Sequence, residues 1–411
     1  MLIFKLKIKK FLLSFLLGTI EASPLIGAIT RWPLRSVGRA ALPVKPIGRA
    51  AKPTHPALSS RSEYESVAPR VAGEKNRVAG GVFPAVMAHR LSNAIVHSSS
   101  SAIICGENIV LSDYYYENRQ RVICTGGNFK AINNNFGIID ARTTESLSSG
   151  IAIFGSGSFN YYHWLIEILP TAFLSQRLAA DFQYFPLLVP EQYEKHLSYK
   201  DSLDIFRAGR TIVTLRSDRQ YQVDDLLVID SPVHGPFNLR SGMWPRITDY
   251  RHSTPVLTAF RQTILDAAGV SGLPPERKLF LARGGDRRSY NQNELAEISK
   301  NYGFEVVFPE ELSFLEQVRL FQSARIIVGA SGAAWANMLF CSRGSKGLTW
   351  VFPEYDEFCA YSNIARTVGL DLEYLFPTAD RIPASTDEAY GATYRLEPES
   401  FRIALERLEM A

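Results

Sequence analysis

A chain of 411 residues, 46% hydrophobic and 21% charged, is too long for one ordinary core and too apolar for wholesale disorder, so it reads as a soluble protein of two domains. The net charge of +4 is uneven: residues 1–50 hold nine Lys or Arg against Glu21 alone, a local +8, which leaves −4 for the remainder and excludes a nucleic-acid binder by charge. Four cysteines, Cys105, Cys124, Cys341 and Cys359, form no Cys-x-x-Cys pair, which excludes the common zinc and dithiol patterns.

In chain order, four lysines at positions 5, 7, 9 and 10 precede an apolar run over 11–20 that Glu21 interrupts. A spanning helix needs about 20 apolar residues. Residues 1–30 are therefore expected to form a basic, apolar anchor resting on anionic lipid, with a signal peptide, a spanning anchor and a disordered tail as alternatives. That places the protein in the cytoplasm, peripheral on the inner face of the membrane. Residues 31–80, rich in Pro, Arg, Ser and Ala, read as a linker.

From 102 to 153, short apolar runs alternate with polar turns such as Gly126-Gly127, which predicts a β-rich opening. A helix over 160–180 follows, then strands at 187–189, 211–215 and 226–229. A helix over 256–268 ends at Gly269. The second half alternates strictly: strand 278–282, helix 293–302, strand 304–308, helix 313–323, strand 325–329, helix 333–340, strand 348–352. Asn291 with Glu294, and Ser313 with Glu316, have capping-box spacing, and Gly303 stops a helix. Such alternation predicts an α/β protein with parallel sheets. Two Rossmann-like domains, 81–245 and 246–385, are expected to face a ligand cleft, the first with its β-rich start, followed by a helical tail over 386–411.

Three stretches carry candidate chemistry. In the first, Gly155 and Gly157 imitate a dinucleotide fingerprint, but Asn160 stands at the third glycine and no acidic residue follows at the required distance, so a nicotinamide oxidoreductase is a weak alternative. Within the same stretch His163 and Glu167 lie one helical turn apart. A carboxylate there orients an imidazole to take a proton from a hydroxyl. The same spacing equally suits a satisfied histidine in an aromatic cluster with Tyr161, Tyr162 and Trp164. In the second, Arg283 with Arg287 and Arg288 follows a strand and surrounds two glycines, the composition of an anion cradle or of a solvated loop. In the third, the strand ending at Gly329-Ala330 runs into Ser331 and Gly332 before a helix, a place where bare backbone N–H groups meet phosphate or where helix and sheet pack tightly. The chain has no Asp-x-Asp, Tyr-x-x-x-Lys, Gly-x-Ser-x-Gly or Walker A pattern.

In this order the stretches resemble glycosyltransferase family 61, whose bacterial members include capsular polysaccharide biosynthesis proteins. The matching residues are Asn160 through Glu167 with Leu169-Pro170, Arg283 and Arg288, Asn293-Glu294-Leu295, Gly303 through Val306, Pro309-Glu310, Leu312-Ser313-Phe314 with Gln317, and Val328 through Phe340, within about 85–380. The resemblance implies a two-Rossmann (GT-B) fold and an inverting, metal-independent transfer without a cofactor. The donor is a nucleotide-sugar, and the acceptor is a glycan or a lipid-linked glycan. It further implies His163 as base, Glu167 as its orienting partner, Arg283, Arg288, Ser331 and Gly332 on the donor diphosphate, and Glu310 or Glu354 on ribose hydroxyls. Two departures, Ser331 where the family often has His and Trp350 where it often has an acidic residue, leave an inactive sugar-nucleotide- or glycan-binding relative as the alternative.

Overall fold

A computed structural model describes residues 39–410 except 52, 54–55, 141–144, 237, 271, 273, 286–288, 379–382 and 390. The expected anchor over 1–30 therefore lies outside the described residues, as does Arg288. Among the described residues no helix is long and apolar enough to cross a membrane.

Strand β1 (Arg39–Pro46) precedes a hairpin of β2 (Ser62–Val67) and β3 (Val78–Phe83). Then come β4 (Ala88–Val96), β5 (Ile103–Cys105), β6 (Asn108–Leu111), β7 (Phe129–Ile132), β8 (Phe136–Asp140) and β9 (Glu145–Ala152). After a helical segment over 161–175 follow β10 (Leu187–Pro190), β11 (Ile212–Leu215) and β12 (Tyr221–Ile229). Ten of these strands form one mixed sheet in the order β11-β10-β9-β12-β4-β5-β6-β1-β8-β7. The run β11-β10-β9-β12 is parallel, as crossovers through helices require. The remaining strands extend it mostly in antiparallel fashion.

The linker expected over 31–80 is corrected here. β1 begins at Arg39 and sits inside the large sheet, with Val44 opposite Ile109 in β6 and Ala41 opposite Ile138 in β8. Its prolines and basic residues give a linker composition, yet Ala41 and Val44 are buried. Long-range pairing overrides local composition.

A short ribbon of β13 (Val233–His234) and β14 (Arg251–His252) leads into α1 (Thr254–Ala268), which ends at Gly269 in the left-handed conformation (φ 68°), as expected. The second sheet contains β15 (Arg277–Leu281), β16 (Glu305–Val307), β17 (Ala324–Ala330), β18 (Lys346–Trp350) and β19 (Asp371–Leu375). All are parallel, in the order β16-β15-β17-β18-β19. Helices α2 (Gln292–Asn301), α3 (Phe314–Gln322), α4 (Ala360–Val368) and α5 (Pro398–Met410) accompany it. The strand order reverses between β15 and β17, and the crevice beyond their carboxyl ends is where open α/β sheets bind ligands. The two sheets share one continuous apolar core: Phe173 and Phe206 from the first half pack edge-on and stacked against Phe260 of α1.

Three local expectations change. The 161–175 segment opens as α-helix (Tyr161–His163), widens to a π turn (Trp164–Ile168) and closes as α-helix (Leu169–Ser175). Pro170 has no N–H for the carbonyl four residues back, and the preceding Leu169 N–H reaches Trp164 O instead, five residues back. The helix expected over Ala333–Phe340 is there with the same bounds, wound as a 3-10 helix. From Trp335 to Phe340 every residue is buried, which suits the narrower coil wedged against α3 and α4. Asn291 does not cap α2 through its side chain. Its amide binds both backbone groups of Leu396, tying the C-terminal segment down. The other predicted box, Ser313 with Glu316, forms as expected.

Candidate active site

A cavity of about 820 Å³ opens where the carboxyl ends of β9, β15, β17 and β18 converge, so both sheets contribute loops to it. On the first sheet's side, Asn160 leaves β9's loop as an N-cap whose side chain accepts from Tyr162 N–H (2.9 Å). That cap starts the helix that presents His163. His163 Nδ1 lies 2.9 Å from Glu167 Oε2, both side chains about nine-tenths buried, at an ion-pair distance whose alignment falls short of a linear hydrogen bond. Both residues line the cavity, and Ser231 Oγ holds the Glu167 carbonyl at 2.8 Å.

The aromatic neighbours divide the work that sequence spacing left open. Trp164 is fully buried, stacked on Tyr199 at 4.6 Å, with its indole N–H donating to Ser202 Oγ. Tyr161 and Tyr162 cross to the second sheet's half. Tyr161 Oη donates to Asn337 Oδ1 (2.7 Å), Asn337 Nδ2 donates to Gln317 Oε1 (2.7 Å), and Tyr162 Oη donates to the Ala360 carbonyl (3.2 Å). Burial pushes both phenols well above the usual tyrosine range, so they stay neutral donors. The packing cluster and the cavity-facing histidine thus coexist on one helix.

On the second side, Arg283 follows β15 at the strand-order reversal. Its guanidinium passes close to Gly332: a Cβ there would sit 3.0 Å from Nη2, so a larger residue would press on the arginine. Nη2 is buried with no hydrogen-bond partner among the described residues. The Arg283 backbone is fixed: its N–H donates to Gln292 Oε1 (2.9 Å) and its carbonyl accepts from Gln292 Nε2 (3.0 Å). Glu310 Oε1 accepts from Gly284 N–H at 2.7 Å, which seats that carboxylate at the cavity edge. Ser331 and Gly332 line the cavity just before the 3-10 helix. Trp350 also lines it, donating from Nε1 to Tyr394 Oη (3.2 Å). Tyr394 stacks on Tyr290 with 5.5 Å between ring centres.

Of the sequence-derived candidates, the cavity brings together His163, Glu167, Arg283, Glu310, Ser331 and Gly332. It does not include Glu354. The 3-10 turn Pro353–Tyr355 sends Tyr355 to the cavity wall, while Glu354 Oε2 is buried with no hydrogen-bond partner among the described residues. Sequence reasoning missed Gln292, whose role appears only when α2 folds back beside β15. It also missed His234 and His252, which line the cavity from strands of two residues that carry no periodicity. Burial depresses both imidazoles from 6.5 to about 4. Among the described residues no group of three or more His, Cys, Asp or Glu side chains is arranged to hold a metal ion.

Residues 161–348, which carry His163, Glu167, Arg283, Glu310, Ser331 and Gly332, match the family model described as Glycosyltransferase 61. No curated protein matches the chain significantly.

Proposed function

Because the chain carries a glycosyltransferase family 61 domain and is a glycosyltransferase, we propose that it moves a sugar from a nucleotide-sugar to a hydroxyl of a glycan or lipid-linked glycan, with inversion and without a metal. The observation that carries this reading is the pairing, in one cavity, of an imidazole beside a carboxylate and a buried guanidinium nitrogen lacking a partner among the described residues. Donor and acceptor would bind on opposite sides. Arg283 would neutralise the diphosphate, aided by the backbone N–H groups after Gly332. That charge grows as the diphosphate leaves, and preorganised donors stabilise growing charge without reorganisation. Arg288 would add a second contact. Glu310, with Oε1 already engaged by Gly284, offers Oε2 to a ribose hydroxyl.

His163 Nε2 would take the acceptor proton as the hydroxyl oxygen attacks the anomeric carbon from the face opposite the diphosphate. Glu167 beside Nδ1 favours the imidazolium that forms. Direct displacement from the opposite face inverts the anomeric centre. The reading extends to a capsular or other extracellular polysaccharide as product, and to a cytoplasmic protein held at the inner membrane face by residues 1–30. A two-Rossmann arrangement is compatible with the parallel strands of each half, the first enlarged by antiparallel additions.

The test is a hydrolysis screen across nucleotide-sugars, followed by transfer to saccharide acceptors with the anomeric configuration of the product assigned by NMR. Hydrolysis of one donor with inversion is expected. Tight donor binding with neither hydrolysis nor transfer would favour the inactive relative, for which Ser331 and Trp350 are the motivating departures.

A further inference from the structure

The ribbon β13–β14 brings two histidines to the cavity that the proposed chemistry does not use. Val233 pairs with His252, and His234 with Arg251. The His234 ring is sandwiched, 4.9 Å from Tyr114 in a stacked arrangement and 4.8 Å from Phe83. Tyr114 is itself anchored by its hydroxyl to the Asp249 carbonyl (2.9 Å). His252 is 3% exposed and lies 6.0 Å from the Tyr64 ring. The Nδ1 atom of each is buried with no hydrogen-bond partner among the described residues, though both side chains line the cavity.

A buried ring nitrogen without a hydrogen-bond partner among the described residues is costly unless something repays it; the Ser231 backbone contacts the His234 imidazole, and both rings line the cavity that a ligand would fill. Of the charges nearest His234, Arg251 also lines the cavity and has Nη1 3.5 Å from Glu117 Oε2, and Asp230 Oδ1 lies 3.1 Å from His89 Nε2. Burial keeps both imidazoles neutral near pH 7. A neutral imidazole donates from one nitrogen and accepts at the other, which matches vicinal sugar hydroxyls and gives no advantage to an anion. The ribbon also adjoins the proposed base, since Ser231 Oγ accepts from Val233 N–H (3.3 Å) and donates to the Glu167 carbonyl.

We propose that this ribbon is the acceptor-recognition element, with the ring nitrogens of His234 and His252 binding hydroxyl groups of an uncharged sugar. The inference rests on the glycosyltransferase reading and names the chemical class of its acceptor. It assigns both histidines to binding and not to proton transfer.

The test uses the full chain, labelled with 15N-histidine, and a panel of methyl hexopyranosides and methyl pentopyranosides with methyl glucuronide as the anionic member. A binding methyl glycoside is expected to shift the imidazole 15N resonances of His234 and His252. His234→Phe keeps an aromatic ring beside Tyr114 and Phe83 and removes the nitrogens, so glycoside affinity should fall at least tenfold while the thermal midpoint stays as in the wild type. His252→Phe should behave alike, and His252→Asn, which keeps a polar atom near Nδ1, should recover part of the loss. Equal glycoside affinity in both Phe variants overturns the assignment. So does a failure of every uncharged glycoside to bind, or a glucuronide bound tenfold more tightly than its uncharged counterpart. Hydrolysis separates the two levels: if the wild type hydrolyses no nucleotide-sugar, the underlying reading fails, whereas intact hydrolysis beside a negative glycoside result removes only the ribbon's role.

Discussion

Arg283→Ala separates a ligand-binding arginine from a structural one, because the two roles predict opposite effects on the empty protein. Arg283 Nη2 is buried against Gly332 without a partner among the described residues. Its removal takes no intramolecular hydrogen bond from that atom, and the Gln292 contacts run to the backbone and survive. The ligand-free variant should therefore melt at the wild-type temperature or slightly above, since a desolvated polar group is relieved. Donor binding should weaken. A hydrogen bond to a charged group contributes about 1.5–3 kcal/mol, which corresponds to roughly 10- to 150-fold in dissociation constant. Calorimetric titration of nucleoside diphosphates against wild type, Arg283→Ala and Arg283→Lys measures this directly. The lysine variant should recover only part of the loss, because its point charge cannot reproduce the planar fork. Affinity unchanged within twofold in Arg283→Ala, or a ligand-free protein melting several degrees lower, would refute the reasoning.

His163→Ala should leave diphosphate affinity unchanged and cut single-turnover transfer by roughly 10²- to 10⁴-fold, with a smaller loss in Glu167→Gln; a well-folded His163→Ala protein with near-normal transfer would end the base assignment. Stability should fall as pH drops from 6.5 toward 4. His252 and His234 have folded pKa values depressed to about 4 by burial, so both states are neutral above 6.5 and the unfolded chain takes protons first below it. For His252, 3% exposed, the loss by pH 4 is on the order of 3 kcal/mol. Thermal melting across this range checks it, and His252→Phe should flatten the decline. Removing residues 1–30 should release the protein from sedimenting membranes with an unchanged melting temperature, since β1 begins at Arg39. A truncated protein that still pellets in high salt would exclude the anchor.

Where local chemistry decided the structure, the sequence was readable. Ser313 and Glu316 close a capping box within four residues, Gly269 takes a left-handed conformation at the end of α1, and strand–helix alternation from 277 onward gives a parallel sheet. The cavity lining was readable where a residue comes just after a strand, as Arg283 does, or on the helix that the loop after a strand caps, as His163 does. What escaped was non-local. β1 is a strand because β6 and β8 flank it. Asn291 is drawn from its helix by Leu396, 105 residues away. Glu354 and Tyr355 are neighbours in one turn, and only the turn's seating decides which reaches the cavity. Pro170 sits in view within a predicted helix, yet its local remedy, a π turn and not a break, depends on the helix being held at both ends by tertiary packing.

The shared core bears on what inheritance and autonomy mean for this chain. The family match begins at residue 161, one loop beyond β9, yet β9 lies between β10 and β12 and pairs with both. It ends at 348, inside β18, leaving out β19 and α5. A fragment cut at those limits would lose seven of the ten strands of the large sheet, β9 among them, and an edge strand from the other sheet, exposing backbone donors and acceptors that have no other partners in the fragment. The segment that similarity delimits is thus not a unit of folding, and excising it should yield aggregation.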